Sequence, residues 1–267
     1  SIRASEAPDA GSIPAEATLI VSYSNFYHLN LWLLVFHHLV LNRIFGLAAG
    51  TVVNCDYFPV HINSLPVING VQWTAQQLFE HFRLNINQFV NTNIASFYPY
   101  NNDVVNDVTL WHSNNPLTSI LHLDMIQDGS VIISKYTSTT NNCQMIASTL
   151  NTPLDGNHPV SGNRSWGIMQ DPNGGYNFYT SGVDRITTNL FEIGDNLMSS
   201  LSSSGFEEAD ALWRTLQTKM MMFINSNGGN AGYYSNNETI LRPDWFIIKR
   251  YLRNEISLQQ LRDMLGC

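Results

Sequence analysis

PLDGNHPVSGNRSWGIMQDPNGGYNFYTSGVDR, residues 153–185, decides the fold. Two strand-forming runs, from Arg164 to Met169 and from Tyr176 to Thr180, flank Pro172-Asn173-Gly174-Gly175, a turn sequence of the kind that joins antiparallel strands. Before them lies a loop dense in turn residues, with His158 near its end. Working upstream, the same period of two recurs in Gln144 to Leu150, Ser130 to Ser134, Ser119 to Met125 and Val108 to Trp111. Gln127-Asp128-Gly129 and Asn114-Asn115-Pro116 mark the turns between the last three. Residues 107–186 therefore read as an antiparallel meander of about six strands, which must cover an apolar face with other elements.

The same stretch holds the chemistry-bearing residues. His158 is a candidate for proton transfer at neutral pH, with Asp184 as the carboxylate that would orient it or an arginine. Arg164 and Arg185 can each clamp a carboxylate or phosphate through two parallel hydrogen bonds, and Thr180, with Ser181 and Gly182, can add further donors. A hairpin brings its two ends together, so a site here would gather His158, Arg164, Asp184 and Arg185 on one concave surface. The alternative is structural: Asp184 pins a turn through an arginine and His158 closes a loop.

On either side of the meander the period becomes helical. Thr74 is placed to cap a helix running to about Asn91, with Leu78, Phe82, Ile86 and Phe89 on its buried stripe. Residues 26–50, FYHLNLWLLVFHHLVLNRIFGLAAG, are apolar almost all round. The interruptions His28, Asn30, His37, His38, Asn42 and Arg43 favour a buried core helix over a membrane span, with a membrane- or partner-inserting segment as the alternative. Residues 17–24 read as a first strand, 51–69, with Pro59 and Pro66, as a connection with short extended pieces, and 97–106 as the end of the helical part. After the meander come a short helix over 190–201 and a longer one from Ser204 or Gly205 through Asn225, with Leu212, Trp213, Leu216, Met220 and Phe223 on one face. Pro243 is read as the first residue of a further helix, and Ser257 as the cap of the last. The organisation expected is a flexible lead-in over 1–16 and one α+β domain over 17–267: helical to 106, sheet to 186, and extra C-terminal helices beyond.

Composition excludes several classes. A net charge of −8 with only 13% charged residues, and no basic run, is the wrong electrostatics for a non-specific nucleic-acid or anionic-membrane binder. No spacing matches a zinc cage, a P-loop, a dinucleotide fingerprint or a nucleophile elbow, so neither metal nor cofactor is expected. His112, His122 and Asp124 read as a polar row rather than a ligand set. Cys143 reads as a buried small hydrophobe rather than a nucleophile partnered by His158, and Met220 to Met222 as core rather than a ligand lining. The 3 cysteines make at most one bridge. Abundant Asn, Ser and Thr, few lysines, and sequons at Asn163 and Asn237 lead to the expectation of a secreted or exported protein, any leader being absent or already removed.

The order strand, two helices, meander, long amphipathic helix resembles the START-like helix-grip superfamily over residues 17–225. HPVSGNRSWGI, a turn and YNFYT are also similar to the last strand pair of uncharacterised bacterial helix-grip relatives. No functional residues carry over from the resemblance. It implies a curved sheet gripping the terminal helix, an apolar cavity between them, and a lipid or other hydrophobic small molecule as partner. The competing functional readings are an exported effector or toxin-like hydrolase acting on an anionic ester through His158 and the arginines, and an interaction protein making peripheral membrane contact.

Overall fold

The computed structural model describes residues 50–103, 105–156, 158–187, 195–233 and 238–266. The lead-in, the strand expected over 17–24 and the apolar segment 26–49 lie outside the described residues.

The central hairpin forms as its turn chemistry demands. Strand β8 (Val160–Gln170) pairs antiparallel with β9 (Tyr176–Ile186), in register from Gln170 opposite Tyr176 to Val160 opposite Ile186. Strands β7 (Asn142–Leu150), β6 (Gly129–Ser138) and β5 (Ile120–Asp124) continue the meander. The run read as its first strand, Val108–Trp111, is instead one turn of helix, α3. Four residues are too few to separate a period of two from a single helical turn.

The sheet also extends beyond the meander at both edges. Asn54–Ser64 is a long strand, β1, and Ser96–Pro99 is the edge strand β4, where the sequence reading had placed a connection and the end of the helical part. The nine-stranded order is β10-β1-β9-β8-β7-β6-β5-β4, where β10 is Asn230–Gly232; β11 (Thr239–Leu241) also pairs with β1, and β2 (Val67–Ile68) and β3 (Val71–Gln72) pair with each other. Pro59 made β1 illegible, because a proline inside a strand normally argues for a break. Its neighbours explain the tolerance. On the side away from β9, β11 takes residues 55–57 and β10 takes residues 61–64, leaving Pro59 in the gap. The Pro59 carbonyl points into this gap and accepts from Gln217 Nε2 at 2.7 Å, so the missing N–H faces no ladder partner.

Helix α1 (Ala75–Leu84) starts in a capping box, Thr74 and Gln77 each bonding the other's backbone N–H, and is followed by the short α2 (Ile86–Phe89). The two C-terminal segments expected before Asn227 are one helix, α4 (Asp195–Ser226), which carries Gly205 inside it. Its stripe of Leu212, Leu216, Met220 and Ile224 lies buried on the sheet, while Phe223 stacks on His81 at 4.8 Å between ring centres. Helix α5 (Trp245–Leu252) is capped by the Asp244 carboxylate, so Pro243 precedes the cap instead of opening the helix. Helix α6 (Leu258–Leu265) starts in a second capping box, at Ser257.

The sheet is covered on both faces. Phe58, Val60, Trp166, Ile168 and Phe178 point towards α1, α2 and α4 in the main core. Their alternating neighbours Cys55, Tyr57, Tyr179 and Val183 pack in a second cluster with Ile248 of α5 and with Ile256 and Leu261. The result is an α+β fold with a strand, two helices, an antiparallel meander and a long helix across the sheet, in the helix-grip order.

Candidate functional site

Between the sheet and α4 lies a cavity of about 670 Å³. Leu123, Val131, Ala147 and Trp166 form its sheet wall, Phe206, Leu212 and Trp213 its helix wall, and Met125 and Ile126 at the β5–β6 turn part of its rim. A nine-stranded sheet is wider than one helix can cover with side chains, which leaves room for this space.

Its polar side comes from β8 and β9. The register places Asp56 of β1, Gly182 of β9 and Arg164 of β8 in one row across three strands. Glycine in the middle leaves the side chain room: a Cβ at 182 would lie 2.3 Å from the Arg164 guanidinium carbon and push it aside. Arg164 lies across this gap and grips Asp56 with both terminal nitrogens, Nη2 to Oδ2 at 2.8 Å and Nη1 to Oδ1. Its other face rests on Trp213, 4.4 Å from the ring centre, and Asp184 Oδ2 is 3.9 Å from Nη2. Asn54, opposite Asp184 on β1, donates to Asp184 Oδ2 at 3.0 Å and to Asp56 Oδ2 at 2.9 Å. Burial pushes the Asp184 carboxyl up to about 6, the Arg164 charge offsetting part of that effect. Among the described residues no hydrogen-bond donor reaches Asp184 Oδ1, and Asp184 lines the cavity.

His158 borders the same space. Its ring packs over Gly129, where a Cβ would lie 2.5 Å from the imidazole, and Nδ1 is 3.0 Å from the Val160 carbonyl oxygen. Nε2 is sealed and without a partner, and burial pushes the imidazole down to about 4, so His158 is neutral at pH 7. The preceding loop is tied to the sheet through Asp155, which accepts from Tyr100 Oη at 2.5 Å, from Ser130 and from His122 Nδ1 at 3.2 Å. Burial alone would raise Asp155, but these hydrogen bonds hold it below the usual carboxylate range.

Three of the five residues singled out from sequence, His158, Arg164 and Asp184, thus line the cavity, and two do not. Arg185 follows Asp184 in the strand and so points to the opposite face. There Nη2 donates to the Gly50 carbonyl at 2.6 Å and the guanidinium lies 4.1 Å from the Trp245 ring centre. Thr180 shares the face of Asp184 but is fully buried, donating to the Ser165 carbonyl at 3.1 Å. The expected gathering of His158, Arg164, Asp184 and Arg185 on one surface therefore fails at Arg185.

Sequence reasoning missed Asp56 and Asn54, because β1 was not recognised as a strand; strand alternation in NCDYFPVHI was the available signal. Cys143 is fully buried, its thiol donates to the Thr139 carbonyl, and burial pushes it up. His112 bonds the Val108 carbonyl at 2.7 Å, and among the described residues no three ligating side chains converge. Asn163, in the first sequon, is buried within β8 and gives a glycan no room in the folded protein. Cys143 is a free thiol. Among the described residues no helix is long and apolar enough to cross a membrane.

No protein-family model and no curated protein matches this chain. Among solved structures it is similar to the human StarD13 (DLC2) lipid transfer and protein localization domain, with 11% identity and a TM-score of 0.37, covering 77% of this chain and 98% of that one.

Proposed function

We propose that this protein encloses a hydrophobic small molecule between its sheet and α4. The carrying observation is the cavity itself: about 670 Å³, with mainly aliphatic and aromatic walls and a few convergent polar groups. That is the size and make-up of small-molecule sites. Arg164 also counts against the anionic-ester reading, since its guanidinium is already held by Asp56.

The test is native mass spectrometry of the purified protein beside Leu212→Trp, which places an indole in the cavity. Retained apolar small molecules in the wild type and none in the variant are expected. A wild type that carries nothing, and takes up no neutral dye such as Nile red, overturns the reading.

A further inference from the structure

The charges around the cavity point to the kind of molecule it encloses. Arg164, Asp184 and Glu208 are the charged side chains among its lining residues. Arg164 is closed by Asp56 beneath it, and the nearby Arg242 is closed by Asp210, at 2.8 and 2.9 Å. Among the described residues, two arginines against Asp56, Asp184 and Asp210 leave one negative charge unmatched, and of the three carboxylates Asp184 is the one that lines the cavity. Glu208, exposed on α4, adds a second carboxylate along the wall. His158 contributes no positive charge at pH 7. The walls also carry Trp166, Trp213 and Phe206, the last two already lying against Arg164 and Arg242. An anionic head group would meet a carboxylate with no unpaired cation among the described lining residues to hold it, whereas an ammonium would complete the Asp184 pair inside a low-dielectric pocket.

Building on the cavity reading, we propose that the enclosed molecule is a cationic amphiphile, an apolar body ending in a protonated amine that pairs with Asp184. Its class is then a long-chain or polycyclic amine, not a fatty acid or a phosphate ester.

Dodecylamine, dodecan-1-ol and dodecanoate, matched in chain length, would be compared below their micellar concentrations by displacement of Nile red at pH 7. The amine is expected to bind at least tenfold more tightly than dodecanoate and several-fold more tightly than the alcohol. Asp184→Asn, which keeps an acceptor for Asn54, should erase the amine's margin over the alcohol. A second measurement needs no variant. Between pH 7 and pH 5 the amine's margin over the alcohol should shrink as Asp184 takes up a proton. Equal or tighter binding of dodecanoate overturns the proposal, as does an alcohol that matches the amine or a margin unchanged by both pH and Asp184→Asn. If Nile red itself does not bind, the cavity reading falls, and this inference with it.

Discussion

Arg164 sits on the inner face only because three other residues make room for it. Asp56 neutralises it, Gly182 lets it lie across β9, and Trp213 covers it. Removing one partner of such a group leaves a buried charge unpaired, which typically costs 3–5 kcal/mol, far more than the intact pair contributes. Arg164→Met should therefore destabilise the fold by about that amount in urea titrations, and Arg164→Met with Asp56→Leu should recover most of it. A single substitution costing under about 1 kcal/mol would show that solvent reaches the guanidinium.

Asp184 and His158 make opposite contributions to acid stability. The carboxyl is raised in the fold from 3.8 to about 6, so its stabilising contribution is complete below pH 3.8 and is lost as pH rises through 6. The imidazole is lowered from 6.5 to about 4, so its contribution is complete above pH 6.5 and is lost as pH falls through 4. Each amounts to about 3 kcal/mol, and across pH 4–6.5 the two nearly cancel. Relative to wild type, His158→Gln should gain about 2–3 kcal/mol between pH 7 and pH 4.5, and Asp184→Asn should lose about 2. Parallel pH–stability curves for all three proteins would refute this assignment.

At the scale of elements, α4 is held by its stripe and β1 by its neighbours. Leu216 is fully buried between helix and sheet, and truncation to Ala should cost 2–5 kcal/mol. A change below about half a kcal/mol would put that face in solvent. The helix caps at Thr74 and Ser257 were legible because capping is local: the side chain and the N–H it serves are three residues apart. Pro59 in β1 was illegible for the opposite reason. Whether a proline is tolerated in a strand depends on which neighbour lies beside its missing N–H, and those neighbours, β10 and β11, come from residues more than 150 positions away. Asp56 and Asn54, the two polar residues that organise the site from β1, were lost with it.

Across the whole molecule the sheet has two jobs. Its inner face forms a cavity with α4, and its outer face is closed by α5 and α6. Ile248 belongs to the outer closure, so Ile248→Ala should cost about 2–5 kcal/mol while leaving uptake of Nile red unchanged in the protein that remains folded. Loss of dye binding in parallel with stability would mean that the two faces do not act separately.

The alternation, turn residues, caps and helical stripe by themselves determined the α+β class, five meander strands, the starts of α1 and α6, and the helix that crosses the sheet, because each depends on neighbours in the chain. They also placed His158, Arg164 and Asp184 near one another, since a hairpin register follows from its turn. Only the tertiary structure decided that Arg185 faces away, that Arg164 is already paired, and that Asp184 lines the cavity. Those facts depend on which face of a strand is covered and on a partner strand set far upstream. Both are settled by packing between distant segments, where local spacing holds no information.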